Sequence, residues 1–522
     1  MCLLPVCLMS NYLVKIERVP KQALYDLKEM GLIPVDFFEN SIIALSDDPG
    51  IAYLTTNDLE YQVLDTEPYL NHYYMATSDK DLSSFELSSN IVILDKGDDN
   101  WLIKIRDLND LYELNSHPIE LKRVSLSALA QSNTETRSYV LTRDTLIQQM
   151  VDAVVYDTII NNVRNLQDFQ TRYSTTDSAW ACAYWLMDRF TSYGYDSVYF
   201  DTFLIEFAPN VVAVKRGMVY PERNYVIGCG HFDCTSEMPT VFAPGADDNA
   251  SGTAAVIEMA RVLSGYLFEY TIYLIAFCGE EQGLLGSEYF AEQAYMNNDT
   301  IIGVVNLDMF AYSTPDRDTF TIINDTTYIS NLWLANTFSA CADTYTTLKK
   351  RVWTGRRPYS DHASFNRYGY HAIQGRENVY VSNPYYHTTG DSIGCGYNAD
   401  TMCFQGIRAS LATVATLAIP YEQTSVTEAP AQEQRGQLTV QVAPSILSSG
   451  SLVKVSGYLP GSEKAVISFH NVIGQCISEH AIDTPGMGYF ALELPCDLPS
   501  GVYIVSLRAG AKADQKKIIV CP

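Results

Sequence analysis

The sequence has 522 residues and a formal net charge of −26 at pH 7, because 61 acidic side chains outnumber 35 basic ones. This length predicts two or three domains, and a hydrophobic content of 47% with 18% charged residues is typical of globular proteins. The negative charge argues against binding to nucleic acid or to anionic membrane surfaces. No apolar run is long enough to predict a transmembrane helix, and 12 cysteines are too few for a disulfide scaffold.

The amino-terminal segments carry no cluster of catalytic residue types. Residues 1–10 are apolar but lack the basic residues that open a secretory signal, so we interpret them as the remnant of such a signal, with a first strand as the alternative. Residues 11–125 alternate strand-like and helix-like stretches in two passes, which predicts a separate α+β region. It is either an accessory domain or a pro-domain that covers an active site. After a polar linker, apolar spacing predicts one long helix over residues 144–164 and a second over 180–193.

Acidic and imidazole side chains follow apolar runs between residues 225 and 308. The runs at 226–229, 271–277 and 301–305 are rich in β-branched residues and predict strands buried on both faces. A helical spacing over 252–263 lies between them, and this order predicts a mostly parallel α/β sheet that binds ligands at the carboxyl ends of its strands. One sheet edge is therefore expected to gather six side chains: His231, Asp233, Asp248, Glu280, Glu281 and Asp308.

Such crowding predicts a metal site. Carboxylates repel one another, and burying them without a counter-charge is costly, whereas a pair of divalent cations removes that cost. Mixed histidine and carboxylate ligands fit zinc, with cobalt or manganese as substitutes. Of the adjacent Glu280 and Glu281, one can coordinate a metal while the other acts as a base. The nearby cysteines are predicted to be packing residues rather than sulfur ligands: Cys229, Cys234 and Cys278.

The order and content of six motifs resemble the co-catalytic zinc exopeptidases typified by bacterial leucyl aminopeptidase. The motifs are H-F-D at 231–233, G-A-D-D-N-A-S-G at 245–252, G-E-E-Q-G at 279–283, N-L-D-M at 306–309, S-D-H at 360–362 and N-P-Y-Y-H-T-T-G-D-S at 383–392. The resemblance covers about residues 140–422. It implies an eight-stranded mixed sheet flanked by helices, two zinc ions and peptide substrates.

The resemblance also implies a role for each site residue. The metal ligands would be His231, Asp308, Glu281 and His387, with Asp248 as the carboxylate that bridges the two ions. Glu280 would be the general base, and Asp233 would orient His231. His362, in the S-D-H motif, is expected to lie near the site without binding metal.

One departure from the family motif leaves alternatives open. The leucyl aminopeptidase has an oxyanion-stabilising tyrosine shortly before Ser-Asp-His, whereas this chain has Arg357 at the matching place and Tyr359 two residues later. Either side chain could stabilise an oxyanion. Arg357 could instead bind a substrate carboxylate, as in a carboxypeptidase of the same fold. A single-zinc glutaminyl cyclase is the other close alternative, and a non-catalytic binding protein is a distant one.

The carboxyl-terminal part changes character after a linker at 420–437. Residues 438–522 contain short alternating strands separated by turn residues, which predicts a small β-sandwich. This segment resembles the sorting domain of the type IX (Por) secretion system, which implies contact with the secretion machinery and a secreted or outer-membrane surface location. A binding sandwich of the fibronectin sort is the alternative.

Overall fold

The structure is a computed structural model that describes residues 12–19, 24–78, 84–97, 100–130, 142–421 and 439–521, the last range with short gaps at 444–445, 449–450, 460–464, 472–474, 483–487, 497, 500 and 510–511. The chain forms two compact units, Met1–Glu422 and Gln423–Pro522. The predicted signal remnant at 1–10 lies outside the described residues. No helix of the described part is long and apolar enough to cross a membrane.

The amino-terminal region contains two four-stranded antiparallel sheets with the same strand order. The first has the order β2-β3-β1-β4, from β1 (Tyr12–Glu17), β2 (Leu32–Phe38), β3 (Ser41–Ser46) and β4 (Tyr61–Asp65), with helices α1 (Leu24–Glu29) and α2 (Asp48–Thr56). The second has the order β6-β7-β5-β8, from β5 (His72–Thr77), β6 (Val92–Lys96), β7 (Asn100–Ile105) and β8 (Glu120–Arg123), with helix α3 (Leu111–Asn115). This is the strand order of a split β-α-β unit, present twice. The two passes seen in the sequence are therefore two tandem repeats.

The two repeats share one core. Their sheets contribute apolar side chains to a single buried cluster, with Phe38 and Ile43 from the first repeat and Tyr73 and Leu102 from the second. Burial of such side chains contributes roughly 1.5–3 kcal/mol each. The cluster also receives Tyr359, which lies beyond residue 142. The repeats therefore pack against each other and against the following domain.

The sheet of that domain has eight strands in the order β15-β14-β16-β13-β11-β12-β10-β9, namely β9 (Ser197–Asp201), β10 (Asn210–Lys215), β11 (Tyr220–His231), β12 (Tyr270–Phe277), β13 (Thr300–Leu307), β14 (Phe320–Asp325), β15 (Lys350–Gly355) and β16 (Ala372–Arg376). The neighbours β12, β11, β13 and β16 are parallel, whereas β10 and β14 join this group antiparallel. The predicted eight-stranded mixed sheet is confirmed.

Helices cover both faces of this sheet: α4 (Thr145–Asp152), α5 (Tyr156–Gln167), α6 (Asp177–Ser192), α7 (Gly252–Leu263), α8 (Leu285–Met296), α9 (Leu332–Tyr345), α10 (His362–Arg367) and α11 (Asp400–Ala418). Helices α4–α7, α9 and α11 share one apolar core, and α8 and α10 share another on the opposite face.

The prediction of one helix over 144–164 is wrong, because the chain breaks between α4 and α5. The buried Glu258 carboxylate accepts a hydrogen bond from the backbone N–H of Val155 at 2.7 Å. Arg261 donates to the carbonyl oxygen of Ala153 at 2.5 Å. These two side chains of α7 satisfy backbone groups that a continuous helix would have used itself.

The second compact unit consists of eight strands: β17 (Thr439–Ala443), β18 (Ile446–Ser448), β19 (Ser451–Leu459), β20 (Ala465–Asn471), β21 (Cys476–Ile482), β22 (Gly488–Cys496), β23 (Gly501–Ala509) and β24 (Lys512–Cys521). They form a three-stranded sheet, β17-β19-β22, and a five-stranded sheet, β18-β24-β23-β20-β21. Val455 of the first sheet packs with Phe469 and Val505 of the second in one buried cluster. This agrees with the predicted sandwich, although the sequence pattern missed β18 and β21.

Candidate metal centre

Three neighbouring parallel strands end at the same edge of the large sheet and deliver the predicted site residues. Strand β11 ends at His231, and Asp308 follows the last residue of β13. The loop after β12 carries Glu280 and Glu281. The backbone N–H of Asp308 bonds to the carbonyl oxygen of Gly375 in β16 at 3.1 Å, which fixes the exit of β13.

Two clusters of potential metal ligands lie at this edge in the described part of the chain. In the first, His231 Nε2 lies 3.3 Å from Asp308 Oδ1 and 3.4 Å from Asp248 Oδ1. In the second, His387 Nε2 lies 2.9 Å from Glu281 Oε2 and 3.3 Å from Asp248 Oδ2. Within each cluster the potential ligand atoms are within 4.8 Å of one another. Asp248 belongs to both clusters and turns a different oxygen toward each.

Backbone contacts hold Asp248 at this junction. The Asp391 carboxylate accepts the N–H groups of Asp247 and Asp248, at 3.0 and 2.9 Å. Asn249 donates to the carbonyl oxygen of Leu307 at 3.0 Å and accepts from the N–H of Gly252 at 2.8 Å. The loop after β11 is thereby tied to the end of β13.

Asp233 contacts one residue of each ligand cluster. One of its oxygens lies 3.5 Å from His231 Nδ1, as expected for a carboxylate that orients a histidine ligand. Its Oδ2 also accepts the hydroxyl of Ser174 at 3.0 Å and the N–H of Glu281 at 3.1 Å. Asp233 therefore fixes the backbone of one proposed ligand as well as the ring of another.

Charge crowding shifts the pKa values of the cluster residues. Burial raises the pKa of Glu280 well above its usual range, and the carboxylates of Asp308 and Glu281 add to this effect against His231. Burial also raises the pKa of Glu281, to about 7. Although burial alone would lower it, Glu281 and Asp248 raise the pKa of His387 to about 10.

The donor set fits zinc. Five buried carboxylates face two imidazoles, so the site carries excess negative charge, and Glu281 Oε1 is buried without a hydrogen-bond partner. Divalent cations would compensate both features, and histidine nitrogens with carboxylate oxygens are usual zinc ligands. The three nearby cysteines are buried packing residues, and neither ligand cluster includes one. The fully buried His362 lies outside both clusters, with Nε2 3.9 Å from Asp325 Oδ2.

Two site residues adopt a strained backbone conformation. His387 has φ of 53° and Met309, directly after Asp308, has φ of 44°. Non-glycine residues rarely occupy this left-handed region, and such strain clusters at functional sites. The ring of Tyr386 stacks on that of His387 with centroids 3.8 Å apart.

The two predicted oxyanion candidates lie at different positions relative to the pocket above the clusters. Tyr359 lines it together with Tyr386, Arg376 and the ligand side chains. Arg357 instead lines an adjoining cavity of about 880 Å³, and its Nη2 donates to Glu120 at 2.8 Å. Glu120 and Leu121 also reach this pocket, from β8, and no sequence pattern had indicated them.

Other contacts were also missed. Gln374 donates to Asp308 Oδ2 at 2.9 Å, and Asn115 of α3 donates to the carbonyl oxygen of Glu281 at 2.5 Å. Gln374 lies in an apolar strand where an isolated amide gives little signal. Nothing in the pattern of residues 11–125 singles out Asn115 or Glu120, because their partners are far away in sequence.

The geometry thus defines a buried site of the metallohydrolase type at the edge of an α/β sheet. Residues 210–409 match the sequence model of Peptidase family M28. A probable zinc metalloprotease of Leptosphaeria maculans is 36% identical over 202 residues, which is 34% of this chain and 47% of the relative. A probable leucine aminopeptidase of Arthroderma otae is 28% identical over 274 residues, 49% of this chain and 74% of the relative. The chain thus spans about half the length of the zinc metalloprotease relative.

Two solved structures share the fold. The aminopeptidase LapA of Legionella pneumophila superposes with a TM-score of 0.56 at 22% identity, over 67% of this chain and 98% of that one. LapB of the same organism gives a TM-score of 0.54 at 20% identity, over 67% of this chain and all of that one. At these identities the likeness concerns the fold alone.

Asp233→Asn should weaken zinc binding about 10- to 100-fold. An amide has one acceptor oxygen, so it cannot orient His231 and also accept the N–H of Glu281. Competition with a chromogenic chelator measures the dissociation constant. Asp299→Asn is the matched control, because Asp299 accepts the hydroxyl of Tyr225 next to the start of β13, at the opposite end of that strand from the ligands. Equal affinities in wild type and Asp233→Asn would contradict the positioning role.

Proposed function

We propose that this chain is a zinc-dependent aminopeptidase that hydrolyses the first peptide bond of peptides and uses two metal ions. The observation that carries the proposal is the shared carboxylate of Asp248, whose oxygens lie 3.4 Å from His231 Nε2 and 3.3 Å from His387 Nε2. A carboxylate that faces two separate ligand clusters is the bridging element of a two-metal site.

The family match and the names of the relatives support zinc and peptide hydrolysis. The relative named a leucine aminopeptidase supports the amino-terminal preference. Arg357, the residue predicted to bind a substrate carboxylate in a carboxypeptidase, is paired with Glu120 at 2.8 Å. Arg376, which lines the pocket itself, lies 4.0 Å from the same carboxylate.

In this proposal His231, Asp308 and Asp248 hold one zinc ion, and His387, Glu281 and Asp248 hold the other. Zinc in such a site polarises the scissile carbonyl group and lowers the pKa of water. The carboxylate of Glu280 accepts a proton from the attacking water and later donates it to the leaving nitrogen. In this proposal Tyr359, which lines the pocket, donates its hydroxyl to the developing oxyanion.

Metal content tests the two-ion proposal. We expect about two zinc ions per wild-type chain, about one in His387→Ala, and fewer still in Asp248→Ala, because only Asp248 serves both clusters. Mass spectrometry of the dialysed proteins gives the ratios. Only about one ion in the wild type would favour the glutaminyl cyclase alternative, which cyclisation of an N-terminal glutaminyl peptide would then test.

Glu280→Gln should lower kcat by about 10²–10⁴-fold while zinc content stays unchanged, because the amide cannot accept the proton of water. Hydrolysis of aminoacyl p-nitroanilides and of blocked peptides measures the loss and the requirement for a free amino terminus. Glu206→Gln, on the surface, is the matched control. Activity above a few per cent of wild type would remove Glu280 from the role of general base.

We also propose that residues 438–522 direct export of the protein through the type IX machinery. The resemblance of this segment to a sorting domain and its sandwich of short strands support the proposal. In a host that has this secretion system, the full chain should reach the medium or cell surface, whereas a chain ending at residue 422 should stay inside. Equal export of both chains would contradict it.

A further inference from the structure

The peptide group of Glu281 is held from two sides. Its N–H donates to Asp233 at 3.1 Å, within the peptidase domain. Its carbonyl oxygen accepts from Asn115 Nδ2 at 2.5 Å, and Asn115 lies at the end of α3 in the second amino-terminal repeat. One proposed metal ligand is therefore anchored by two regions of the chain.

Asn115 is itself held by the peptidase domain. It is fully buried, and its carbonyl oxygen accepts the hydroxyl of Thr235 at 2.8 Å. Its Oδ1 accepts the hydroxyl of Tyr173 at 3.3 Å and the amide of Gln282 at 3.4 Å. With both amide atoms engaged, Asn115 has one orientation in which all its contacts are satisfied.

A second bond ties the same loop to the same repeat. The N–H of Arg123 donates to the carbonyl oxygen of Gly283 at 3.1 Å. Gly283 has φ of 98°, and a Cβ atom there would lie 2.7 Å from the ring of Tyr74 and 2.9 Å from the N atom of Arg123. Only glycine combines this conformation with so close a neighbour. The loop is therefore shaped to receive the repeat.

Buried polar contacts extend the interface beyond this loop. Lys122 pairs with Asp36 at 2.5 Å, and the hydroxyl of Tyr328 donates to Asp36 at 2.6 Å. Arg367 donates to the carbonyl oxygens of Val35 and Ser127, at 2.9 and 2.6 Å. Removal of the repeats would take Asp36 away from Tyr328 and Val35 away from Arg367, which would keep its ion pair with Glu288. The loss of buried hydrogen bonds is costly. A segment that is removed by proteolysis is not expected to supply buried hydrogen-bond partners of this kind.

The repeats also form part of the substrate route. Glu120 and Leu121 line the pocket above the ligand clusters. The adjoining cavity of about 880 Å³ is walled by both repeats on one side, including Phe37 and Met75, and by the peptidase domain on the other. A peptide that enters this cavity would contact both.

We propose that the amino-terminal repeats are a permanent part of the active site, in which Asn115 is a positioning residue that holds Glu281 and with it the second ligand cluster. This inference rests on the proposed zinc site and replaces the pro-domain hypothesis with an integral role for the repeats.

Asn115→Asp is the decisive variant, because it keeps the shape of the side chain but removes the hydrogen bond donated to Glu281. We expect the affinity of the protein for the more weakly bound zinc ion to fall about 10- to 100-fold. Chelator competition well below the melting temperature measures this affinity. Lys122→Met is the control for stability, because it breaks a buried ion pair between the two repeats and a contact with Tyr328 of the peptidase domain, neither of which involves the loop. It should lower the melting temperature and leave zinc affinity near that of the wild type.

A fall in zinc affinity confined to Asn115→Asp supports the positioning role. Unchanged affinity in Asn115→Asp, or an equal fall in Lys122→Met, would overturn it. Both outcomes are measured on zinc binding, so they remain decisive if the wild type shows no peptidase activity, a result that would instead contradict the proposed function.

Proteolytic cleavage between the amino-terminal repeats and the peptidase domain tests whether the repeats stay bound. A protease site introduced at residues 132–140 of the full chain allows cleavage after folding. We expect the two fragments to co-elute under native conditions with unchanged zinc affinity and kcat/KM. Release of the amino-terminal fragment with a rise in turnover would show a removable pro-domain and overturn the proposal.

Discussion

The arrangement of the site follows from one electrostatic constraint, the burial of more carboxylates than imidazoles around Asp248. Such a cluster is stable only if fixed donors and cations compensate its charge. Gln374 meets a small part of this need by donating to a cluster carboxylate, and the other polar partners hold the backbone of the cluster in place without offsetting its charge. Asp391 accepts the N–H groups of the Asp248 loop, Gln374 donates to Asp308, and Asp233 and Asn115 clamp the Glu281 peptide. Zinc supplies the remaining positive charge that the excess of buried carboxylates requires.

The sequence was sufficient for the parts of this arrangement that arise from local pattern. Apolar runs followed by His231, Glu280 and Asp308 placed these residues at strand ends, because a buried parallel strand must end where polar residues begin. The mostly parallel α/β sheet and helix α7 over 252–263 could be predicted on the same basis, whereas the number of eight strands came from the family resemblance. The motifs around Asp248 and His387 added the shared carboxylate and the last histidine, whose side chains the structure brings to the same edge.

The remainder depends on contacts between residues far apart in the chain. The break between α4 and α5 is set by Glu258, which lies 103 residues beyond Val155. Asn115 meets Glu281 across 166 residues, and Arg357 meets Glu120 across 237. No periodicity or turn signal encodes such pairs, since each residue is unremarkable in its own segment. The two repeats were visible only as two passes of strands and helices, because their common strand order arises from pairing between separated segments.

The duplicated region has an evolutionary consequence. The second repeat reaches the pocket above the ligands through Glu120 and Leu121, and the first reaches only the outer cavity, through residues such as Phe37. Substitutions at these rim positions alter the space and charge that a peptide meets, while every proposed metal ligand stays in the peptidase domain. Selection can therefore change which peptides are accepted without passing through forms that lack the hydrolytic machinery. Changes in substrate preference and retention of the hydrolytic site therefore depend on different segments of the chain, the repeats and the peptidase domain.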